Sequence, residues 1–461
     1  MTTPTALSLA EIGRAFDERR LSARELIEAA IANHSRCDAK LHAYSLWTPD
    51  IARAMAQCAD DAFADGSRLG PLHGIPVAPK DLFAVSSMPT FAGSPQRLPA
   101  RWEQDGPVIA ALRRQDSVFV GKTHMVEFAF GGTGVNAHWP CPRNPWDSTQ
   151  QRSPGGSSSG AGVALLEGSA LIALGTDTAG SVRIPASATG TVGLKVTAGR
   201  WSTDGIVPLS HTLDTPGVLA RSAADAAIAF QAIDPNDVRP IAPTSLAGLR
   251  IGIDDAMWRD CAPGIAETAK AALDRLAKAG ANLMPRPVPE FAGAYQVFCD
   301  GGVSAIELRR FLDRELPDWI ATLDPINAPV IARAATIPDE RYRDRLARLA
   351  ALAGSVTATL AEIDVVAAPT LTVTPPLLST IRDTATHWDA NRALTRNTVP
   401  VNYLGLCAIS LPIGFDAARM PIGLQLIGWP RHEEALLAVA LAAERVLGTA
   451  HDILGVPPLL A

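Results

Sequence analysis

Two stretches of small residues stand 24 positions apart, Ser153-Pro154-Gly155-Gly156-Ser157-Ser158-Ser159-Gly160-Ala161-Gly162 and Gly175-Thr176-Asp177-Thr178-Ala179-Gly180-Ser181-Val182-Arg183-Ile184-Pro185, counted from Ser157 to Ser181. In the second stretch the residues leading to Ser181 carry little side chain, so several backbone N–H groups can converge on one point. That is what stabilising a developing oxyanion requires. Ser181 then reads as a nucleophile that is also the last donor of the hole. A serine needs a base, and the downstream histidines His211, His387, His432 and His451 sit in no marked loop context. Lys80 is the alternative. It follows the apolar Gly74-Ile75-Pro76-Val77-Ala78 and precedes Leu82 and Phe83. Most lysines are solvated, but burial lowers a lysine from about 10.4 by as much as 3–5 pKa units, so that it turns neutral near pH 7 and serves as a base.

Two other patterns are decoys. Gly121-Lys122-Thr123 has the end of a phosphate-binding loop, but the glycine that such a loop needs earlier is replaced by Asp116. Gly156-Ser157-Ser158-Ser159-Gly160 matches the G-x-S-x-G nucleophile elbow, which needs a strand before it; Gln151-Arg152-Ser153-Pro154-Gly155 is no strand. A flexible linker would also explain the Ser/Gly run, but it would place a floppy segment between well-patterned elements.

The elements that must position these residues follow from periodicity. Residues 7–32 hold two amphipathic helices, each opened by a capping box, Ser8 with Glu11 and Ser22 with Glu25. Residues 74–78 and 118–120 read as short buried strands, 108–113 as a helix, 131–160 as loop, and 162–174 as a small-residue helix followed by a strand. Beyond residue 240, strands are expected at 249–253, 364–369 and 421–428, and helices at about 264–280, 303–316, 340–363 and 432–447. This alternation argues an α/β class.

Hydrophobic residues make up 47% of the 461 and charged residues 19%, with a formal net charge of −6. Such a chain buries a large core and offers nothing to a polyanion, so nucleic acid is not an expected partner. Cys37, Cys58, Cys141, Cys261, Cys299 and Cys407 form no C-x-x-C pair, which speaks against a zinc knuckle or a disulfide framework. The N-terminus does not read as a signal peptide, and no apolar run reaches about 18 residues. The expectation is a cytoplasmic protein without a membrane partner.

Taken together, GPLHGIPVAPKDLF, GKTHMVEFAFGGTGVN, RNPWD, SPGGSSSGAG, GTDTAGSVRIPAS, GLKVTAGR and MPIGLQLIG resemble, in order and spacing, the amidase signature family. The resemblance spans nearly the whole chain. It implies an α/β amidase signature fold with a central mixed β-sheet covered on both faces by helices. It implies one amidase domain over 1–461, comprising N-terminal helices (7–65), a catalytic core (66–240), a variable helical region shaping the substrate entrance (241–400), and C-terminal strands and helix returning to the core (401–461). It also implies a catalytic Lys80, Ser157 and Ser181, with a cis peptide bond at Gly156–Ser157, and selects Ser157 over its two serine neighbours. The oxyanion hole is expected from the N–H groups of Thr178, Ala179, Gly180 and Ser181, with Ser158, Asp177 and Arg183 in support. Phe128, Ala129 and Phe130 are candidate pocket walls, with Trp319 and Trp388 near the entrance, although core packing is the more economical account of these aromatics. Three departures stand out: Ala179 where the family often has Gly, a third serine at Ser159, and Val196 where Pro is common.

The implied reaction is hydrolysis of an amide or amide-like C–N bond (carboxamide, aryl amide, hydrazide, carbamate or urea-like) through a Ser181 acyl-enzyme. No cofactor and no metal are implied. The implied partner is a small-molecule amide or carbamate, with a homodimer left open. The rival readings are a glutamine-hydrolysing amidotransferase A-type subunit and a catalytically silent amidase-fold binding protein.

Overall fold

Ser8 and Ser22 open their helices as their spacing predicts. Each side chain accepts the N–H of the glutamate three residues on, and each backbone N–H donates back to that glutamate at 2.8 Å. The first helix is Leu9–Asp17; the second runs to Leu41, longer than its apolar pattern suggests. The computed structural model of the protein describes residues 3–236 and 238–461.

Among the described residues, twelve strands follow in chain order: β1 Tyr44–Trp47, β2 Pro76–Pro79, β3 Val118–Phe119, β4 Gly121–Thr123, β5 Ile172–Thr176, β6 Val192–Lys195, β7 Pro216–Ala220, β8 Arg250–Ile253, β9 Asn282–Pro285, β10 Val365–Pro369, β11 Cys407–Phe415 and β12 Pro421–Gly428. β1 and β4 form a small antiparallel pair. The other ten make one mixed sheet in the order β3-β2-β5-β7-β6-β11-β12-β10-β8-β9. β2 is parallel to β3 and β5, and β8 to β9 and β10, while the central strands pair antiparallel. β5, β7, β10 and β12 are buried at every position. Strands covered on both faces read as continuous apolar runs rather than alternating ones.

Helix Ala161–Glu167 packs on β5, helix Arg183–Thr189 on β6, β11 and β12, and helix Glu433–Leu447 on β11 and β12. The expected loop, 131–160, contains neither helix nor strand; the next regular element starts at Ala161. Among the described residues, no helix is long and apolar enough to cross a membrane.

Phe128, Ala129 and Phe130 belong to the main hydrophobic core, with Phe128 only 2% exposed. All three are buried, as are Lys80 and Ser157, which are 0% exposed. Phe130 packs against Trp388 with ring centroids 4.9 Å apart, and Trp319 and Trp388 lie half-buried against the same core.

Candidate active site

The second serine stretch is a loop between β5 and helix Arg183–Thr189, so it leaves the sheet at a strand end and feeds a helix start. Gly180 makes this turn with φ +127°, and a Cβ there would lie 2.2 Å from Thr398 Oγ1. Only glycine suits such a conformation and such an approach. The first stretch is fastened by its own hydroxyl and by Asn144. Ser153 Oγ donates to the Thr133 carbonyl at 2.6 Å and accepts the Gly155 N–H at 3.0 Å, while Asn144 Nδ2 donates to the carbonyls of Ser153 and Ala188. The Gly156–Ser157 peptide bond is cis, and a Cβ on Gly156 would fall 2.6 Å from the Gly134 nitrogen.

Lys80 follows β2, is fully buried, and lies 2.7 Å from Ser157 Oγ and 3.0 Å from Thr176 Oγ1. Burial lowers its pKa to about 7, against the opposing pull of the Asp214 and Asp177 carboxylates. A neutral amine has two N–H donors and one lone pair. It can donate to Thr176 and accept the Ser157 hydroxyl proton, which is the arrangement of a base. The Ser157 carbonyl is held by the Val126 N–H at 3.0 Å, and the Ser158 N–H donates to the Ser181 carbonyl at 3.4 Å. The two serine stretches are therefore joined through backbone. The Ser158 hydroxyl itself has no hydrogen-bond partner and packs toward Gly175. Ser158 thus reaches the second serine stretch through its N–H.

Asp177 and Arg183 brace the loop from beneath. Both are fully buried, and the guanidinium donates to the carboxylate from Nε at 3.0 Å and Nη2 at 2.9 Å. The same carboxylate accepts the N–H groups of Gly180 (2.7 Å), Val182 (3.1 Å) and Arg183 (3.3 Å). Burial pushes Asp177 up, but the Arg183 charge and these donors override it and hold the carboxyl well below the usual carboxylate range. The Gly180 contact removes one expected oxyanion donor, because its N–H is committed to Asp177. Among the described residues, the N–H groups of Thr178, Ala179 and Ser181 have no protein acceptor, so three of the four expected donors are free to serve an oxyanion.

Several contributors escape a reading of the sequence. Arg183 also reaches Gln425 Oε1 and Asn402 Oδ1, each at 2.5 Å, and the Thr398 carbonyl. Asn402 Nδ2 donates to the Asp177 carbonyl at 2.7 Å, and Thr398 Oγ1 to the Ala179 carbonyl at 2.6 Å. Asp214 accepts the Thr178 hydroxyl at 2.6 Å. Gln425 carries a signal, being a polar residue inside the apolar strand PIGLQLIG; Thr398, Asn402 and Asp214 carry none.

A family model described as Amidase matches residues 25–437. The chain is 46% identical to the 2-amino-5-chloromuconic acid deaminase of Comamonas testosteroni over 98% of its own length and 99% of the relative's. It is 33% identical to the A-type subunit of the glutamyl-tRNA(Gln) amidotransferase of Anaeromyxobacter sp. (strain K), over 97% and 98%. A solved structure described as an amidase superposes with a TM-score of 0.86 at 29% identity, over 96% of this chain and all of that one.

Proposed function

The chain belongs to the amidase family, and from that premise we propose that it cleaves a non-peptide C–N bond of a small molecule, with Ser181 as nucleophile, Ser157 as relay and Lys80 as base. The observation that carries this reading is the buried Lys80–Ser157 hydrogen bond of 2.7 Å beside a loop whose N–H groups are free. Lys80, in its neutral form, takes the Ser157 proton as Ser157 takes that of Ser181, and Ser181 Oγ attacks the electrophilic carbon. The free N–H groups of Thr178, Ala179 and Ser181 stabilise the developing negative charge; one such donor is worth about 3–4 kcal/mol in the transition state. The proton returns through Ser157 to the leaving nitrogen, and water repeats the sequence to free Ser181.

For the substrate, the 46% identical deaminase supports a small amino-substituted unsaturated carboxylic acid that exchanges its amino group for the oxygen of water and releases ammonia. Simple carboxamides and carbamates present the same triad with a carbonyl carbon, whose oxygen can take the developing charge. The amidotransferase reading is less well supported, because the identity on that side is 33%. We place the reaction in one amidase domain in the cytoplasm, consistent with strands from both halves of the chain meeting in one sheet.

The test is covalent labelling of the full-length protein by a fluorophosphonate probe, followed by ammonia release from a panel of amino-muconic acids, carboxamides and carbamates. Labelling is expected at Ser181, absent in Ser181→Ala and Lys80→Ala, with an acidic limb near pH 7 as Lys80 loses its proton. Labelling at another serine, or a Lys80→Ala variant that reacts at the normal rate, refutes the assignment. Glutamine turnover that requires a partner chain would favour the amidotransferase instead.

A further inference from the structure

Asp214 lies at the end of a loop, residues 209–214, that leads into β7. It is anchored to the candidate catalytic loop through Thr178. Its Oδ1 accepts the Thr178 hydroxyl at 2.6 Å, and its Oδ2 accepts the N–H groups of Leu209 at 2.8 Å and Ser210 at 2.9 Å. One residue on, the Thr215 carbonyl accepts the Asp177 N–H at 2.7 Å. Asp214 and Thr215 therefore run alongside Asp177 and Thr178, next to Thr176, whose hydroxyl holds Lys80.

The loop that carries Asp214 is itself fixed by a buried carboxylate. Glu307, on helix Ser304–Glu315, accepts the Ser210 hydroxyl, the Thr212 hydroxyl at 2.6 Å, the Thr212 N–H at 3.2 Å and the Tyr342 hydroxyl at 2.7 Å. A carboxylate with three donors, on a loop pinned by another carboxylate with four, is held in one orientation. Nothing in the packing of an α/β core demands it there, and it ends on the residue whose N–H is the first free donor of the oxyanion loop.

We propose that Asp214 is a positioning residue of the reaction: it orients the oxyanion loop through Thr178 and presents a negative charge to Lys80. The proposal rests on Lys80 acting as the base. Two carboxylates face Lys80. Asp177 is neutralised by Arg183, whereas Asp214 has only neutral hydrogen-bond donors. Asp214 is thus the less compensated charge. It favours the protonated amine, acting against burial, and burial in turn raises Asp214 to about 6. The groups acting on Asp214 are Thr178, the Leu209 and Ser210 amides and Lys80; Glu307 and His211, which lie 3.6 Å apart, are not among them.

Phosphonylation by a fluorophosphonate probe reads this without a known substrate. Ser181 Oγ forms the O–P bond, fluoride leaves, and the Oγ proton passes through Ser157 to Lys80. The second-order labelling rate of the full-length protein is measured from pH 5.5 to 9. Asp214→Asn removes the charge, so Lys80 loses its proton more easily and the acidic limb moves down by about 1 pH unit. Thr178→Val keeps the charge but breaks the tether; it lowers the high-pH plateau about 10-fold, and Thr178→Ser restores it. An unmoved limb in Asp214→Asn, or an unchanged plateau in Thr178→Val, overturns the proposal. Where Asp214→Asn does not fold, the Thr178 pair decides. A wild-type rate that is flat with pH, or labelling away from Ser181, refutes the Lys80 reading instead, so the two failures are distinguishable.

Discussion

Replacing Lys80 by Met should make the protein inert and, below neutrality, more stable. Lys80 is fully buried and its pKa falls from 10.5 to about 7 because burial disfavours the charged amine. An unfolded lysine keeps its proton up to about pH 10.4. Between those two values the unfolded chain binds one more proton than the folded one, so stability rises with pH across the window and the penalty is complete below about 7. The interval corresponds to about 5 kcal/mol. Met has nearly the same shape and no charge, so it escapes that penalty but loses the hydrogen bonds to Ser157 and Thr176, worth about 1 kcal/mol each. The variant should therefore be more stable than the wild type by about 3 kcal/mol at pH 6 and less stable by about 2 kcal/mol at pH 10.5. Urea unfolding of both proteins at pH 6, 8 and 10, followed by tryptophan fluorescence, gives the difference directly; titrations uncoupled from Lys80 cancel, and the step from pH 8 to 10 lies clear of Asp214, which titrates near 6. A difference that does not change with pH, or a variant that is weaker at pH 6, would falsify the account of Lys80 as a desolvated amine.

Arg183→Met should be the opposite case. It leaves Asp177 buried without its cation and is expected to destabilise the protein by about 3–5 kcal/mol, measured by urea midpoint at pH 7. Gly180→Ala should abolish probe labelling of Ser181, because the added Cβ meets Thr398 Oγ1 at 2.2 Å and the backbone sits at φ +127°; normal labelling would show that the loop adapts. Ser157→Ala should retain the fold, by circular dichroism, yet slow labelling by about 10²–10⁴-fold, since it removes the relay between Lys80 and Ser181.

The legible parts of this molecule are those whose meaning is local. Ser8 and Ser22 announce helix starts because a capping box closes within four residues, and the structure has both. Gly180 is legible because a glycine before a reactive serine serves a turn that other residues strain. By contrast, β11 does not stand out as a strand, although it lies near the middle of the sheet between β6 and β12. Its run CAISLPIGF is buried on both faces, so it lacks the period-2 signal, and Pro412 argues against a central strand. The ladder accommodates that residue through an irregularity between Pro412 and Gly414. Phe128, Ala129 and Phe130 read as either pocket or core from their place in the chain, and the structure packs them with the main core.

The sequence by itself determined the chemistry on offer: a small-residue loop ending in Ser181, a second serine stretch 24 positions earlier, and a lysine flanked by apolar residues. It could not say which donors remain free or what sets the lysine's proton affinity. Tertiary structure decided those, because Asp177 takes the Gly180 N–H, Asp214 holds Thr178 from 36 residues away, and Arg183 is satisfied by Thr398, Asn402 and Gln425 from the far end of the chain. Hydrogen bonds and Coulomb forces act through space, and in a low-dielectric interior a partner about 200 residues away in sequence counts as much as a neighbour.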